Sequence, residues 1–297
     1  MKIILAGGTG FIGTPLRKKL LEEGHEVMVL VREVQESPSD AAKYMPWDGR
    51  SPQTKIEAAD AIINLAGENI SARPWTPAQK EKILRSRIEA TKALVLTIGQ
   101  MKKKPSILIN ASAIGYYGDV PSGEVTEQSP RGRGFLAEVC EAWEAEAKKA
   151  EALGVRVVLA RLGVVLGPGG GMLGKIVPPF RFFTGGPLGS GEQWISWVHI
   201  EDLIRIFLFI LGSSGFSGAV NVTAPIPVPM KDFCKALGRV LKRPSWLPVP
   251  GFLLKFFLGE LSEALLSGQK ALPVRLRQAG YVFQYPDPGS ALKNIFS

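Results

Sequence analysis

Cysteine and histidine are both scarce in this sequence, with two of each among 297 residues. Cys140 and Cys234 lie far apart in helical patterns, so they predict neither a disulfide framework nor a metal site, and they fit a reducing compartment. His25 and His199 are also distant in the chain, so we expect no His-based metal site. The first residues lack the pattern of a secretory leader, and the sequence therefore predicts a cytoplasmic protein.

Long apolar segments are absent as well. The longest, residues 203–211, is interrupted by Arg205 and reaches about half the length of a membrane span. We expect it to form a buried helix, and we expect no association with a membrane. Nearer the C-terminus, a stripe of apolar side chains recurs at helical spacing, and we interpret it as packing rather than as a membrane or partner surface. Its members are Phe252, Phe256, Phe257 and Leu261.

Clustered charge is rare, although the formal net charge is +9. Lysine and arginine residues are scattered, and the one tight basic run, residues 102–104, lies in a loop pattern where solvation explains it. The chain has no recognised nucleic-acid-binding motif, so we expect no nucleic-acid partner.

The clearest pattern in the chain occupies its first 32 residues. An apolar run at 3–6 has the length and the branched side chains of a strand, and a glycine-rich turn follows at once. Residues 14–21 then have helical spacing with leucines on one face, and residues 25–31 have a second strand pattern. Strand, glycine turn, helix and strand together predict a βαβ unit.

The glycines of this turn have the spacing Gly-x-x-Gly-x-x-Gly and predict a dinucleotide site. Gly7 permits the tight turn, Gly10 lets the backbone approach a pyrophosphate, and Gly13 lets the helix pack closely on the strand. The helix N-terminus then faces the negative charge. A phosphate-binding P-loop is excluded, because no Gly-Lys-Ser or Gly-Lys-Thr follows. The candidate cofactor residues of the turn are Gly7, Thr9, Gly10, Phe11, Ile12 and Gly13.

The end of the second strand, Val31 and Arg32, selects between the two nicotinamide cofactors. An acidic residue about 20 positions beyond the glycines binds the ribose hydroxyl of NAD, whereas an arginine suits the 2′-phosphate of NADP. The guanidinium of Arg32 can make charge-assisted bonds to phosphate, so we predict NADP (NADPH) as the cofactor. The alternative is a solvated surface arginine that Glu33 partly neutralises.

Strand and helix patterns alternate along the chain, with apolar strands at 61–66, 106–111 and 155–160. This alternation predicts an α/β fold, a Rossmann-type doubly wound parallel sheet with helices on both faces. Beyond these strands, glycine-rich loops and shorter helical patterns follow. We therefore predict a cofactor-binding domain over residues 1–225 and a smaller, mainly helical substrate lobe over residues 226–297.

Ligands of such sheets lie beyond the carboxyl ends of the strands. The end of the strand at 106–111 should approach the nicotinamide, and Ser112 follows it with a hydroxyl that can donate to a substrate oxygen. The end of the strand at 61–66 should pass close to the adenosine or the ribose. Its candidate residues are Asn64, Leu65, Ala66 and Gly67.

Several segments make the chain resemble a known family. They are residues 7–13, 64–70, 86–91, 112–118, 161–167 and 197–199 and a distinctive C-terminal segment. Over nearly its whole length the chain resembles the extended and atypical short-chain dehydrogenase/reductases, and among them the NADP-linked, sugar-nucleotide epimerase-related "epimerase family protein" subgroup. The resemblance implies cofactor contacts from Val165 and from Arg87, which stands where relatives carry an asparagine. Arg87 either reaches the cofactor phosphates or is a helix-surface arginine paired with a carboxylate.

The residue pair that transfers the proton in these reductases is missing. Relatives use a Tyr-x-x-x-Lys pair, because the oxyanion left by hydride transfer must be protonated or held. Phe135 and Val139 stand at the two positions here. Either Ser112 or Ala113 holds the position of the family's catalytic hydroxyl. The candidate replacements for the missing pair are Ser112, Tyr116 and Tyr117.

Two further positions bear on the site. Ile195 stands where sugar-nucleotide epimerases carry the arginine that binds the diphosphate, and an apolar side chain cannot make that contact. His199 precedes a helix for which Asp202 is a candidate cap. We interpret His199 as a structural histidine bonded to backbone rather than as an acid of the pocket.

Three functions are compatible with these features. The first is an NADP-dependent oxidoreductase acting on an unidentified small carbonyl or alcohol. The second, which the missing Tyr and Lys favour, is an NADPH-binding regulatory module with little or no turnover. A nucleotide-sugar epimerase ranks last because of Ile195. The sequence leaves the substrate open, and it allows either a monomer or a homodimer.

Overall fold

The computed structural model describes residues 1–33 and 40–297. In chain order its strands are β1 (Lys2–Ala6), β2 (Glu26–Val31), β3 (Lys43–Pro46), β4 (Ala61–Asn64), β5 (Ile107–Ala113), β6 (Val120–Val125), β7 (Arg156–Leu162), β8 (Val164–Leu166), β9 (Trp194–Ile195), β10 (Trp197–His199), β11 (Gly218–Val222), β12 (Val228–Pro229) and β13 (Gln269–Ala271). Its α-helices are α1 (Gly13–Glu22), α2 (Pro77–Gln100), α3 (Phe135–Lys148), α4 (Leu173–Arg181), α5 (Ile200–Gly212), α6 (Met230–Leu241), α7 (Gly251–Leu258), α8 (Leu261–Leu266), α9 (Val274–Gln278) and α10 (Pro288–Phe296). Short 3-10 helices at Ile114–Tyr117 and Lys149–Leu153 follow β5 and α3.

Seven of the strands form one parallel sheet in the order β11, β7, β5, β4, β1, β2, β3. The chain moves outward from β1 to β3 and then returns to the other side of β1 with β4. This reversal is the switch point at which open α/β sheets bind ligands, beyond the carboxyl ends of the strands. The predicted α/β fold, with helices on both faces and a helical C-terminal region, is confirmed. The division of the chain after residue 225 stays a prediction.

Alternate residues of the central strands enter two cores, one on each face of the sheet. Ile3 and Leu5 pack with α1 and α5 on one face, whereas Ile4 and Ala6 pack with α2 on the other. Successive side chains of a strand point to opposite faces, so a short apolar run serves both cores. All four side chains are fully buried. The glycine turn therefore follows a strand whose apolar side chains are fully buried on both faces of the sheet.

Most predicted helices are present, with one break. The pair Thr76-Pro77 predicts the start of a helix, with a threonine cap and proline at the first helical position. In the structure, Thr76 caps α2 by accepting a hydrogen bond from the amide of Gln79, and Pro77 is the first residue of the helix. Residues 252–266 have the pattern of one helix, but Gly259, with φ of +55°, separates α7 from α8. In the part of the chain that the structure describes, no helix is both long and apolar enough to cross a membrane.

A third core joins α4, α6 and α10 around Phe180 and Phe233. None of the residues of α7 is buried. The interpretation of the stripe as packing is correct for Leu261, which is buried, but wrong for Phe252, Phe256 and Phe257, because these side chains are 70%, 80% and 70% exposed. Helical spacing shows which side chains share a face, but it does not show whether another element covers that face.

His199 and Asp202 attach the C-terminal segment to α5. Nδ1 of His199 accepts a hydrogen bond from the amide of Glu201 at 3.1 Å and so caps α5, which agrees with a structural role and corrects the cap expected of Asp202. Asp202 instead accepts from the amides of Gln284 and Tyr285, at 2.9 and 2.8 Å. The rings of His199 and Tyr285 stack with their centroids 3.9 Å apart.

The buried imidazole makes the stability of the fold depend on pH. Burial lowers the pKa of His199, and the carboxylates of Glu201 and Asp202 oppose this shift only in part. As the pH falls below about 6.5, the unfolded chain takes up a proton before the native protein does, so the free energy of unfolding decreases. His199→Asn keeps a capping side chain but removes this titration. We predict that its urea midpoint falls less on mild acidification than that of the native protein. An unchanged pH dependence in His199→Asn would contradict the role given to this residue.

Candidate cofactor site and its polar network

The glycine turn between β1 and α1 depends on close approaches of backbone. Gly7 has φ of +79°, and a Cβ there would lie 2.8 Å from the carbonyl carbon of Leu65. A Cβ on Gly13 would lie 2.1 Å from the carbonyl oxygen of Gly7, so neither glycine can be replaced without moving backbone. A Cβ on Gly10 would meet nothing closer than 3.5 Å. The open side of Gly10 is therefore where a ligand can approach the turn.

The first turn of α1 presents amide groups that no side chain caps. The residue before the helix, Ile12, makes no side-chain cap, and no acidic residue lies in the first turn. The partial positive charge of such a helix end attracts phosphate groups. A cleft of about 400 Å³ opens beside it. The cleft is lined by Thr9, Gly10, Phe11, Thr14, Pro15, Pro168 and Ile200.

Strand β2 ends at Val31, and Arg32 follows it at the same edge of the sheet as the glycine turn. Val31 is buried and pairs with Pro46 of β3, whereas the side chain of Arg32 is exposed. An exposed guanidinium at the end of the second strand stands where a 2′-phosphate requires a cation. Residues 34–39, which follow, lie outside the described part of the chain.

The turn after β4 is held from inside the protein. Asn64 is fully buried, and its amide nitrogen donates to Thr91 at 2.9 Å and to Asn110 at 2.7 Å. Its carbonyl oxygen accepts from the amide of Ala66 at 3.1 Å. The side chain of Asn64 thus shapes the turn, and the backbone of Leu65 adjoins the glycine loop. Contact of this turn with the adenosine or the ribose stays a prediction.

Arg87 lies against the same turn from α2. Its guanidinium donates to the carbonyl oxygens of Glu68 and Ile83, both at 3.0 Å, and lies 5.1 Å from the centre of the Trp143 ring. A Cβ on Gly67 would lie 3.1 Å from the guanidinium carbon. Burial lowers the pKa of Arg87. Arg87 is therefore bonded to carbonyl groups and not to a carboxylate, the partner that the sequence offered as one alternative. Its contact with cofactor phosphates stays a prediction.

The loop after β8 packs closely on the glycine turn. A Cβ on Gly170 would lie 2.6 Å from the Phe11 ring, and one on Gly171 would lie 3.1 Å from the carbonyl oxygen of Val165. Two glycines thus let the loop reach Phe11. This packing brings half-buried Val165 towards the cleft, where the resemblance implies a cofactor contact.

Ser112 belongs to a buried polar network behind β5. It is 2% exposed, and its hydroxyl donates to Oε1 of Glu144 at 2.7 Å. The guanidinium of Arg161 donates to both oxygens of Glu144 at 2.8 Å. Removal of one member of such a buried pair costs about 3–5 kcal/mol. Because side chains alternate along a strand, half-buried Ala113 points to the opposite side from Ser112.

The two tyrosines after β5 have different surroundings. The hydroxyl of Tyr117 donates to Asn221 at 2.6 Å and accepts from Arg161 at 3.0 Å, and burial raises its pKa to about 12. Tyr116 is half-buried, and the guanidinium carbon of Arg161 lies 3.5 Å from the centre of its ring. Tyr116 is therefore the more accessible of the two predicted proton donors.

An apolar cluster occupies the positions of the missing Tyr-x-x-x-Lys pair. Val139 is buried, and Phe135 packs against Trp75 with ring centroids 5.1 Å apart. Leucines of α7 and α8 join the same cluster. Ile195 is buried in the third core, so no cation stands at the position that binds a diphosphate in the epimerases.

Sequence reasoning missed two members of the polar network, Glu144 and Asn221. Glu144 falls on the buried face of α3, in line with Ala137, Cys140 and Ala147. A charged residue on an otherwise apolar helical face is the signal that identifies it, because such a residue is seldom buried without a partner. Asn221 lies in the central, buried part of β11 and is recognisable in the same way.

Two family models match separate parts of the chain. The NAD dependent epimerase/dehydratase family matches residues 3–222, and a domain of unknown function, DUF1731, matches residues 249–295. The epimerase family protein YfhF of Bacillus subtilis is 41% identical over 300 residues, which cover 100% of this chain and 98% of that relative. The chloroplastic SDR39U1 homolog of Arabidopsis thaliana is 42% identical over 302 residues, 99% of this chain and 86% of the relative.

Two solved structures resemble this chain over nearly its whole length, and one of them contains NADPH. The human epimerase family protein SDR39U1 (isoform 2), crystallised with NADPH, has a TM-score of 0.90 and 34% identity and covers 99% of both chains. The cofactor of that structure is the one that Arg32 predicts. The UDP-glucose 4-epimerase of Thermotoga maritima, with a TM-score of 0.80 and 17% identity over 100% of this chain and 97% of the other, shares the fold alone.

Proposed function

Because the chain belongs to the NAD dependent epimerase/dehydratase family, as its motifs predict, we propose that it is an NADP(H)-dependent oxidoreductase of a small carbonyl or alcohol. The observation that carries this proposal is the position of Tyr116. It lies directly after β5, half-buried and stacked on Arg161. It is thereby the candidate hydroxyl for the proton transfer that the absent Tyr-x-x-x-Lys pair performs in relatives.

The residues around the glycine turn fit NADPH. The uncapped amides of α1 are suited to the pyrophosphate, and the open side of Gly10 leaves room for it. The exposed guanidinium of Arg32 is suited to the 2′-phosphate, while Thr9 and Phe11 line the cleft. When bound, NADPH supplies the hydride of a carbonyl reduction.

In the proposed reaction, the protein supplies the proton. The carbonyl carbon gains the hydride, the carbonyl oxygen gains the proton of the Tyr116 hydroxyl, and the product is an alcohol. Arg161 positions the Tyr116 ring by a cation–π contact, and Glu144 fixes Arg161 by two hydrogen bonds. Ser112 and Tyr117 act through this network as positioning residues, because their hydroxyls are already hydrogen-bonded within it.

The substrate in this proposal lacks a nucleotide diphosphate. Ile195 is apolar and buried where the epimerases carry the arginine that binds it. Phe135 and Val139 make the neighbouring region apolar as well. A small carbonyl compound suits these surroundings better than a nucleotide sugar does.

A second function is favoured by the apolar packing of Phe135 and Val139. With neither a phenol nor an ammonium at these positions, the protein would bind NADPH and report the bound state to a partner, with little or no turnover. The two functions share the cofactor site and differ in whether NADPH is consumed.

Substitution of Arg32 tests the choice of cofactor. Arg32→Asp removes the cation and introduces a carboxylate that can accept from the ribose hydroxyls of NADH. We predict that NADPH affinity falls by about tenfold or more while NADH affinity rises, as measured by fluorescence titration with each cofactor. Arg277→Asp, at an exposed arginine of α9, is the matched control and should leave both affinities unchanged. Equal binding of both cofactors by the native protein would overturn the role of Arg32.

Substitution of Tyr116 separates the two functions. With a panel of small aldehydes and ketones, we predict that the native protein consumes NADPH and that Tyr116→Phe lowers kcat by about 100-fold or more without weakening NADPH binding. Ser112→Ala should lower kcat less, because Ser112 acts only through Glu144. NADPH binding without consumption of any compound would favour the module, and an unchanged kcat in Tyr116→Phe would exclude Tyr116 as the proton donor.

A further inference from the structure

Every exposed phenylalanine and tryptophan of the described residues lies in one of two segments, residues 181–191 and residues 233–259. We name these side chains the aromatic face. Its members are Phe182 (77% exposed), Phe183 (54%), Trp246 (65%), Phe252 (70%), Phe256 (80%) and Phe257 (70%). Aromatic side chains each bury about 150–250 Å² when covered, so six of them exceed the apolar patch of an ordinary monomer surface.

Hydrogen bonds join the two segments into one surface. The indole nitrogen of Trp246 donates to the carbonyl oxygen of Phe183 at 2.9 Å, and the backbone N–H of Val249 donates to the carbonyl oxygen of Pro187 at 2.9 Å. Two residues after Val249, α7 begins with Gly251 and carries the three remaining aromatic residues. Phe183 has a φ of +61°, a strained conformation for a non-glycine residue, at the point where its ring is exposed.

The charge around the aromatic face is mainly positive, although Glu192, Asp232 and Glu260 border its two segments and Asp232 pairs with Lys235 at 3.2 Å. Residues 181–191 and 233–259 contain no acidic residue. A cleft of about 380 Å³ beside Trp246 is lined by four of the cations together with Gly238 and Ser245. Within the described chain, the buried Nε of Arg243 and Oγ of Ser245 have no hydrogen-bond partner. The cations of the two segments are Arg181, Lys235, Arg239, Lys242, Arg243 and Lys255.

We propose that the aromatic face docks on the surface of an anionic phospholipid bilayer. The aromatic side chains would enter the interface between headgroups and acyl chains, and the six cations would meet the headgroup phosphates. The eight residues of α7 span about 12 Å, far less than a bilayer core, so the helix lies along the surface. The absence of a membrane-crossing helix among the described residues is compatible with this arrangement.

Two other occupants fit the surface less well. A symmetric pair of copies would bring the same patch of each chain together, and six cations would then face six cations. A protein groove that receives an acidic helix is concave, whereas α7 protrudes with no buried residue. A protruding aromatic helix beside a basic cleft suits insertion into an anionic interface. The proposal does not depend on the proposed enzymatic function.

Vesicle flotation tests the proposal with the full-length protein. We expect the native protein to float with phosphatidylcholine vesicles that contain phosphatidylglycerol, to float poorly with phosphatidylcholine alone, and to dissociate as salt is raised. Phe256→Ser combined with Phe257→Ser should weaken binding by about tenfold or more, and so should Arg239→Glu combined with Lys255→Glu.

Matched controls carry the same changes elsewhere on the surface. Val282→Ser alters another exposed apolar side chain, and Lys18→Glu combined with Lys104→Glu changes the net charge equally. Both should bind like the native protein. Failure of the native protein to float, or equal loss of binding in the charge control, would overturn the proposal. Conversion of a dimer into a monomer by the Phe256→Ser, Phe257→Ser variant, seen by light scattering, would assign the aromatic face to a second copy instead.

Trp246 provides a readout at the surface itself, because it is the exposed tryptophan of the described residues. Lipids brominated in their acyl chains should quench its fluorescence when the protein binds anionic vesicles. Trp246→Phe should lose that quenching when it is measured at a lipid concentration at which flotation shows the variant to be bound. Binding of the native protein without quenching would contradict insertion of the aromatic face.

Discussion

The contact of Gly13 with the carbonyl oxygen of Gly7 is the constraint on which the candidate site depends. A Cβ at Gly13 would lie 2.1 Å from that oxygen, so α1 can begin this close to β1 only without a side chain there. Gly7 is confined in the same way by the backbone of Leu65. The turn consequently leaves Gly10 as its open position and aims the uncapped amides of α1 at the switch point of the sheet.

Behind the glycine turn, the polar side chains face inward rather than towards a substrate. Ser112, Glu144 and Arg161 satisfy one another in a volume that is almost fully buried. The same network fixes Tyr117 and reaches Asn221 on the outer strand β11. The family's glycine turn is thus combined with apolar residues at the positions of the Tyr-x-x-x-Lys pair, and Tyr116 is the more accessible of the two tyrosines after β5. This combination explains why the fold identifies the family well and the reaction poorly.

Local patterns predicted the features that neighbouring residues determine. Strand length, the glycine spacing and the Thr76 cap with Pro77 all depend on contacts within a few positions, and all are present. The partner of Ser112 lies 32 positions away on another helix, so strand periodicity could not reveal it. Arg87 is similar, since its partners are carbonyl oxygens that any residue supplies.

The exposed helix α7 illustrates the same limit in the opposite direction. Its phenylalanine spacing is that of a packed face, yet no residue of α7 is buried, and its contribution to the apolar cluster around Trp75 is Leu258. Burial depends on which elements surround a helix, and those elements come from distant parts of the chain. The aromatic face on α7 is therefore a feature that only the assembled fold makes visible.

The most direct measurement is an NADPH titration of the Gly10→Val variant beside its thermal melting curve. Because the space next to Gly10 is open, the variant should melt close to the native temperature, whereas Gly13→Ala should melt well below it. The added side chain should occupy the space of the pyrophosphate and lower NADPH affinity by about tenfold or more. A Gly10→Val variant that binds NADPH as tightly as the native protein would contradict the assignment of this turn as the cofactor site.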